Sequence, residues 1–155
     1  DPRRDAVEKT YTYLLHDRAI ASPLWERRAW QVMARLDVSA MRRAARHLLG
    51  RHDFSSFRAR ACTARHPVRT LKAATVARTG DLVRIRITAD AFLYHMVRTI
   101  VGTLVEVGLG KRHPASFRTV LRARDRRRAG PTAPACGLYL EAVRFGRHRA
   151  GRRRT

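Results

Sequence analysis

The stretch FLYHMVRTIVGTLVEVGLG, residues 92–110, is the longest apolar-periodic run of the chain. Its apolar residues recur at the three- and four-residue spacing that lays a stripe along one side of a helix. Asp90 is a candidate N-cap, and Gly108 and Gly110 provide a stop, because glycine readily adopts the left-handed conformation that ends a helix. A membrane span needs about 20 mostly apolar residues, and this run is too short and interrupted for one. We therefore predict a core helix around which the other elements pack.

Two residues of this helix do not suit a plain core element. Gly102 costs roughly 1 kcal/mol relative to alanine in mid-helix, which indicates that another backbone or a ligand comes close. Arg98 falls on the narrower, polar side between His95 and Gly102. An arginine there either reaches into a site or extends its side chain to water, and the helix sequence alone favours extension to water.

The chain is strongly basic. Its 155 residues include 34 Lys and Arg against 12 Asp and Glu, for a formal charge of +22, and 45% are hydrophobic. This composition predicts one globular domain with a real core. A polyanionic partner, nucleic acid first, would explain so strong a field. A composition biased toward Arg and Ala is the alternative, so the charge supports RNA or DNA binding without establishing it.

The cysteines and the first residue of the chain give expectations about its cellular location and about whether it is part of a longer protein. Cys62 and Cys136 are far apart and outside any Cys-x-x-Cys pair, so neither a disulfide framework nor a zinc site is indicated. No signal peptide or membrane segment is recognisable, and a reduced cytoplasmic location is expected. Because the chain begins at Asp1 rather than methionine, we expect a processed product or a piece of a longer protein.

Local patterns predict further elements. KTYTYLLH, residues 9–16, alternates like a strand, whose tyrosines either pack in the core or form a stacking platform for a base. The segment 17–36 is expected to be mostly loop. A cap at Asp37 or Ser39 predicts a helix running to Leu49.

The second half of the chain predicts a hairpin, a helix and a last strand. Residues 70–78 and 82–89 flank a turn, with one face of the hairpin apolar and the other basic. Pro114 opens a short amphipathic helix. The last strand runs from Gly137 through Phe145.

The stretch RHDFSSFRA, residues 51–59, allows two interpretations. It is either a short linker pinned to the core by Phe54 and Phe57, or a loop whose Arg58 and Arg60 contact phosphate.

Four segments together resemble one family. They are KTYTYLL at 9–15, GRHDFSSFRA at 50–59, FLYHMVRTIVGTLVEVGLG at 92–110 and APACGLYLEAVRF at 133–145. In this order and spacing they resemble the C-terminal half of TruA-type tRNA pseudouridine synthases. The resemblance covers nearly the whole chain.

The resemblance implies an α+β fold, with an antiparallel-rich sheet, helices packed on one face and a basic RNA cleft on the other. Residues 1–146 would form the C-terminal half of the synthase, and 147–155 a disordered basic tail. Such enzymes isomerise uridine to pseudouridine in the anticodon arm of tRNA, at positions 38 to 40, without cofactor or metal. An aspartate is essential, as nucleophile or as base. The complete proteins are homodimers that hold tRNA across both subunits.

The resemblance also assigns site residues. Tyr11 would stack on the target uracil. Arg98 would pair with the catalytic aspartate and hold its carboxylate ionised and oriented. Leu138 would pack against the site and exclude water.

A second group is assigned to substrate or RNA binding, partly as the family's cleft-forming loop. Its members are Asp53, Phe54, Phe57, Arg58 and His95.

The catalytic aspartate of the family lies in an Arg-Thr-Asp segment of the N-terminal half, and no aspartate here sits in such a motif. Asp53 is the nearest substitute, yet it matches a different family position. We therefore predict that the chain alone is inactive and needs the N-terminal half as its partner. The alternatives are an inactive RNA-binding module, or a structural basic protein, which would explain the charge but not the four motifs.

Overall fold

The computed structural model describes residues 6–146. The predicted basic tail, 147–155, lies outside the described residues. Among residues 6–146, none of the helices has the length and hydrophobicity that a membrane-spanning helix needs.

A six-stranded sheet forms the centre of the described chain. Strand β1 pairs antiparallel with β5 along one edge, and the order continues through β4 to β3. The other edge of β1 pairs antiparallel with β6 and, over two residues, in parallel with β2. The strands are β1 (Ala6–His16), β2 (Trp30–Gln31), β3 (Gly50–Asp53), β4 (Val68–Thr79), β5 (Leu82–Ala89) and β6 (Leu138–Phe145).

Three α-helices pack on one face of this sheet. They are α1 (Val38–Arg46), α2 (Met96–Gly108) and α3 (Ser116–Ala123), and single 3-10 turns occupy Ser55–Phe57, Arg126–Arg128 and Ala135–Gly137. The helices share one apolar core with Val83, Ile85 and Ile87 of β5. The alternate residues Arg84 and Arg86 are exposed on the opposite face. The predicted α+β fold with its antiparallel-rich sheet, the hairpin and the helices on one face are therefore confirmed.

Helix α2 is the buried element that its sequence predicts, because 11 of its 13 residues are buried. Gly102 marks a close backbone approach, as expected. A Cβ atom built there would lie 1.7 Å from the Pro131 carbonyl oxygen. The helix ends at Gly108, and Gly110 has a φ of +76°.

The start of α2 differs from the prediction. The helix begins at Met96, after His95 in the left-handed conformation, and not at Phe92. Asp90 does not cap it, because its carboxylate accepts the backbone N–H groups of Thr70 and Ala91. Phe92 turns instead toward β1.

Residues 126–137 cross over α2, and we call this segment the strap. The Gly130 N–H donates to the Thr103 hydroxyl at 2.9 Å, and the Ala133 N–H donates to the Arg98 carbonyl at 2.9 Å. At the other end, the hydroxyl of buried Tyr13 donates to the Pro134 carbonyl. The strap therefore joins α2 to β1.

Helix α1 is capped as predicted but ends sooner. The Asp37 carboxylate accepts the Ala40 N–H at 3.0 Å, whereas the helix stops at Arg46 and not at Leu49. The stretch after it, for which the sequence allowed a linker or a phosphate-contacting loop, starts with strand β3 because residues 50–53 pair with β4.

A buried ion pair joins the segment after β1 to the end of β4. Asp17 is 1% exposed, and each of its carboxylate oxygens accepts an N–H from Arg78 at 2.7 Å. Burial would raise the pKa of Asp17, but the bonds from Arg78 and the Leu36 N–H outweigh burial and lower that pKa. The pair also reaches the approach to α1, because Arg78 donates to the Leu36 carbonyl.

Candidate active-site cavity

A cavity of about 430 Å³ brings together four of the predicted site residues, Tyr11, His95, Arg98 and Leu138. It lies where β1, the start of β6 and the segment before α2 meet. Tyr11 shares a face of β1 with buried Tyr13, because side chains two apart on a strand point the same way. The predicted site residues therefore lie on the helix-bearing side of the sheet, whereas the family resemblance implied an RNA cleft on the other face.

Tyr11 forms one wall of the cavity. Its ring is partly buried and meets Phe92 edge to face, with the ring centroids 5.1 Å apart and the planes at 84°. Phe92 occupies this position because the chain at 92–95 is not yet helical. Leu138, at the start of β6, pairs with Tyr13 and supplies an apolar contact to the same cavity.

Arg98 does not extend to water, so that interpretation was wrong. Its Nε donates to the Ala133 carbonyl at 2.7 Å, and its Nη1 lies 3.1 Å from His95 Nε2. A guanidinium carries five N–H donors, so these two bonds leave the Nη2 donors and one Nη1 donor for a ligand. This edge of the group can bind a carboxylate through two parallel bonds.

His95 adopts a left-handed conformation, with φ at +60°, directly before α2. Its ring stacks on Tyr94, with centroids 3.9 Å apart. Burial lowers the pKa of His95, and the charge of Arg98 lowers it further. Both effects favour the neutral form of the ring.

The cavity has positive charge and no described counter-charge. Its residues are Lys9, Tyr11, Phe92, Leu93, Tyr94, His95, Met96, Val97, Arg98, Ala135 and Leu138. Within residues 6–146, no carboxylate lines it, and none lies within ion-pair distance of Arg98. A partly buried guanidinium of this kind favours an incoming anion.

Asp53 lies outside this cavity. One carboxylate oxygen accepts the Ser55 N–H at 2.9 Å, and the other is 3.6 Å from Arg124 Nε. Asp53 lines a separate surface cavity with His47 and Arg118. In this arrangement it does not reach Arg98.

The other members of the RNA-binding group play different parts. Phe54 and Phe57 are fully buried, and Phe57 stacks on Phe117 with centroids 6.0 Å apart. Neither ring can touch RNA in this arrangement, because both pack inside the core and pin the loop, as the linker interpretation expected. Arg58 donates to the carbonyls of Cys62 and Ala64, so it holds the following loop.

The sequence analysis did not identify two groups that contribute to this site. Lys9 lines the cavity, and its position two residues before Tyr11 on the same strand face could have identified it. The Ala133 carbonyl that holds Arg98 carries no side-chain signal. Only the fold of the strap places it there.

Comparison with known proteins identifies the family of the chain. Residues 44–146 match the family model described as tRNA pseudouridine synthase. The tRNA pseudouridine synthase A of Myxococcus xanthus is 52% identical over 144 residues, covering 92% of this chain and 54% of the relative. That of Azorhizobium caulinodans is 48% identical over 145 residues, covering 94% and 56%.

The chain spans about half the length of these curated relatives. The match nevertheless runs over nearly all of the chain and contains Arg98 and Leu138 within the family model. The predicted resemblance to TruA-type synthases is confirmed. The chain belongs to the tRNA pseudouridine synthase family.

Proposed function

We propose that this chain supplies half of the active site of an enzyme that isomerises uridine to pseudouridine in the anticodon arm of tRNA. One observation carries the proposal: Arg98 is fixed by two bonds, keeps free N–H donors and faces a cavity without a described carboxylate. The missing partner is the catalytic aspartate, supplied by a segment beyond residues 6–146. Arg98 would hold that carboxylate ionised and oriented toward the ribose or the base.

The other cavity residues would hold the target base. The partly buried Tyr11 ring offers a stacking surface, and Leu138 covers the site against water. In the reaction, the bond from uracil N1 to the ribose breaks and a bond from C5 to the same ribose carbon forms. C5 releases its proton to solvent, and N1 takes up a proton in its place. The target nucleotide must leave its stack to enter the cavity.

The basic surface would supply most of the affinity for tRNA. A charge of +22 would favour many contacts with the tRNA phosphates, and the half-buried side chains of Asp53 and Arg58 would lie beside the RNA path. Counterion release then makes the affinity fall steeply as salt rises. The complete protein would act as a homodimer.

Tritium release from C5 of labelled uridine in a tRNA transcript tests the proposal. The chain alone is compared with the chain joined to the remaining segment of the Myxococcus xanthus relative. Release only from the joined protein is expected. Release from the chain alone would mean that a residue within it is the catalyst.

A second candidate function is an RNA-binding module without chemistry. The absence of a carboxylate from the described cavity favours it. In that case the joined protein would bind the transcript and release no tritium.

A further inference from the structure

We propose that neutral His95 is a positioning residue for Arg98, and that uptake of a proton by His95 releases Arg98 and inactivates the site. The inference rests on the proposed role of Arg98. It assigns to His95 a function other than the RNA contact expected from the sequence.

The atoms in contact set the protonation state. His95 Nε2 lies 3.1 Å from Arg98 Nη1, and a guanidinium can only donate hydrogen bonds. Nε2 must therefore present its lone pair, which places the single ring proton on Nδ1. A doubly protonated ring would set an N–H donor and a positive charge against Arg98, so the bond would break.

The backbone is bent to make this contact. A left-handed conformation is unfavourable for a non-glycine residue, and such positions persist where the surrounding structure determines them. Here φ of +60° at His95 is followed directly by α2, in which Thr99 donates to the His95 carbonyl. The ring is thereby turned under Arg98, three residues on, and is backed by Tyr94.

Two contacts fix the guanidinium plane. The Ala133 carbonyl of the strap accepts a hydrogen bond from Arg98 Nε, and His95 Nε2 accepts one from Arg98 Nη1. Either contact alone would allow the group to swing about the other. Together they direct the Nη2 edge, which a carboxylate would bind.

The surroundings favour neutral His95. The charged or titratable groups near it are Lys9 and Tyr11 from β1, Arg98 from α2 and its neighbour Tyr94. The Ala59 N–H donates to the Tyr94 carbonyl, which brings the neighbouring Arg58 into this region. The Arg58 side chain, however, donates to the Ala64 carbonyl. The strap contributes Ala135 to the lining. These neighbours are cationic or neutral, which agrees with the lowered pKa of His95.

The first test needs only this chain. Nitrogen NMR of His95 should show the proton on Nδ1 at neutral pH and a titration below the ordinary value of about 6.5. Arg98→Met should move that titration upward. A proton on Nε2 at neutral pH, or an unchanged titration of His95 in Arg98→Met, would overturn the proposal.

The second test uses the joined protein and its pH profile. His95→Asn keeps a residue type that tolerates left-handed backbone, but its side chain is too short to reach Nη1. It should lower tritium release at least about tenfold, as loss of a bond to a charged group does, with tRNA binding unchanged. His95→Gln restores an acceptor that does not titrate, so activity should return and no longer fall at acid pH.

The control for these variants is His113→Gln, which should keep both the activity and the acid fall of the wild type. A wild-type profile in His95→Asn, or an unchanged acid fall in His95→Gln, would refute the positioning role. Melting curves establish that each variant is folded, and if His95→Gln unfolds, the NMR result decides. If the joined wild type releases no tritium at any pH, the proposed function fails, and NMR still decides the His95–Arg98 bond.

Discussion

Arg98 combines two properties that are rarely found together on a buried helix. It is a permanent cation, and its contacts with Ala133 and His95 fix its orientation without neutralising it. An arginine held by neutral acceptors keeps its charge for another group. Its planar, forked donors also make it hard to replace by lysine, whose ammonium is a single point of charge.

Arg98→Lys should therefore reduce tritium release by the joined protein at least about a hundredfold, because two charge-assisted bonds lose their geometry. Binding of the transcript should change less than about threefold. Single-turnover release and filter binding measure the two effects.

Arg42→Lys is the matched control, because Arg42 Nε also donates to a backbone carbonyl, that of Val76, at 2.7 Å. It lies on α1 outside the cavity and should leave the activity unchanged. Intact activity with weakened RNA binding in Arg98→Lys would refute the orienting role.

At the scale of elements, the strap packs closely against α2 because Gly102 has no side chain. Gly102 lets the Pro131 carbonyl approach the helix axis, and this approach places Ala133 beside Arg98. The contact is backbone to backbone, so neither side can rotate away. The orientation of Arg98 therefore depends on how the strap packs against α2.

Gly102→Ala should lower the free energy of unfolding by about 3 kcal/mol, because overpacking against a rigid carbonyl forces the strap to move. Gly108→Ala on the same helix is the control. Its new Cβ would lie 2.7 Å from Met41 Sδ and 3.0 Å from Leu36 Cδ2, and both are side-chain atoms that can shift. A smaller loss than in Gly102→Ala, about 1 kcal/mol, is therefore expected. Urea denaturation measures both, and equal losses would mean that the strap yields freely.

Local patterns predicted the elements whose partners are close in sequence. The β4–β5 hairpin and α3, with Phe117, Val120 and Leu121 inward, follow from alternation and helical spacing alone. The start of α2 does not, because apolar spacing cannot distinguish a helical Phe92 from one that turns to meet Tyr11. That choice depends on a strand about 80 residues earlier.

For the candidate site, the sequence likewise predicted some features and missed others. Family motifs identified Tyr11, Arg98 and Leu138, and the structure gathers them in one cavity. The same motifs gave no information on which residues are accessible, so Phe54 and Phe57 were assigned to RNA although the core encloses them. Backbone groups such as the Ala133 carbonyl leave no trace in a motif.

At the scale of the whole molecule, Asp17 and Arg78 join the segment after β1, the end of β4 and the approach to α1. Asp17→Asn keeps the shape and leaves Arg78 without its counter-charge, so stability should fall by about 3 kcal/mol. The pKa of Asp17 is lowered in the folded state, so this stabilisation is present above the unfolded value near pH 4 and is lost as pH falls through the folded value.

The difference between wild type and Asp17→Asn should therefore be constant from about pH 5 to pH 7 and shrink below about pH 4. Urea denaturation at a series of pH values measures it. Asp81→Asn is the control, because its ion pair with Arg18 is exposed and should contribute about 0.5 kcal/mol or less. A loss that does not shrink at acid pH would mean that Asp17 acts through its shape.

Strand β6 ends the sheet, because among the described strands it pairs only with β1. Its outer edge offers unpaired amide and carbonyl groups beside exposed Leu140 and Phe145, which is a template on which a second molecule can add a strand. Mutual repulsion at a charge of +22 opposes that approach, and dissolved ions screen it. Protein concentration and ionic strength will therefore set how long a preparation of the isolated chain stays clear.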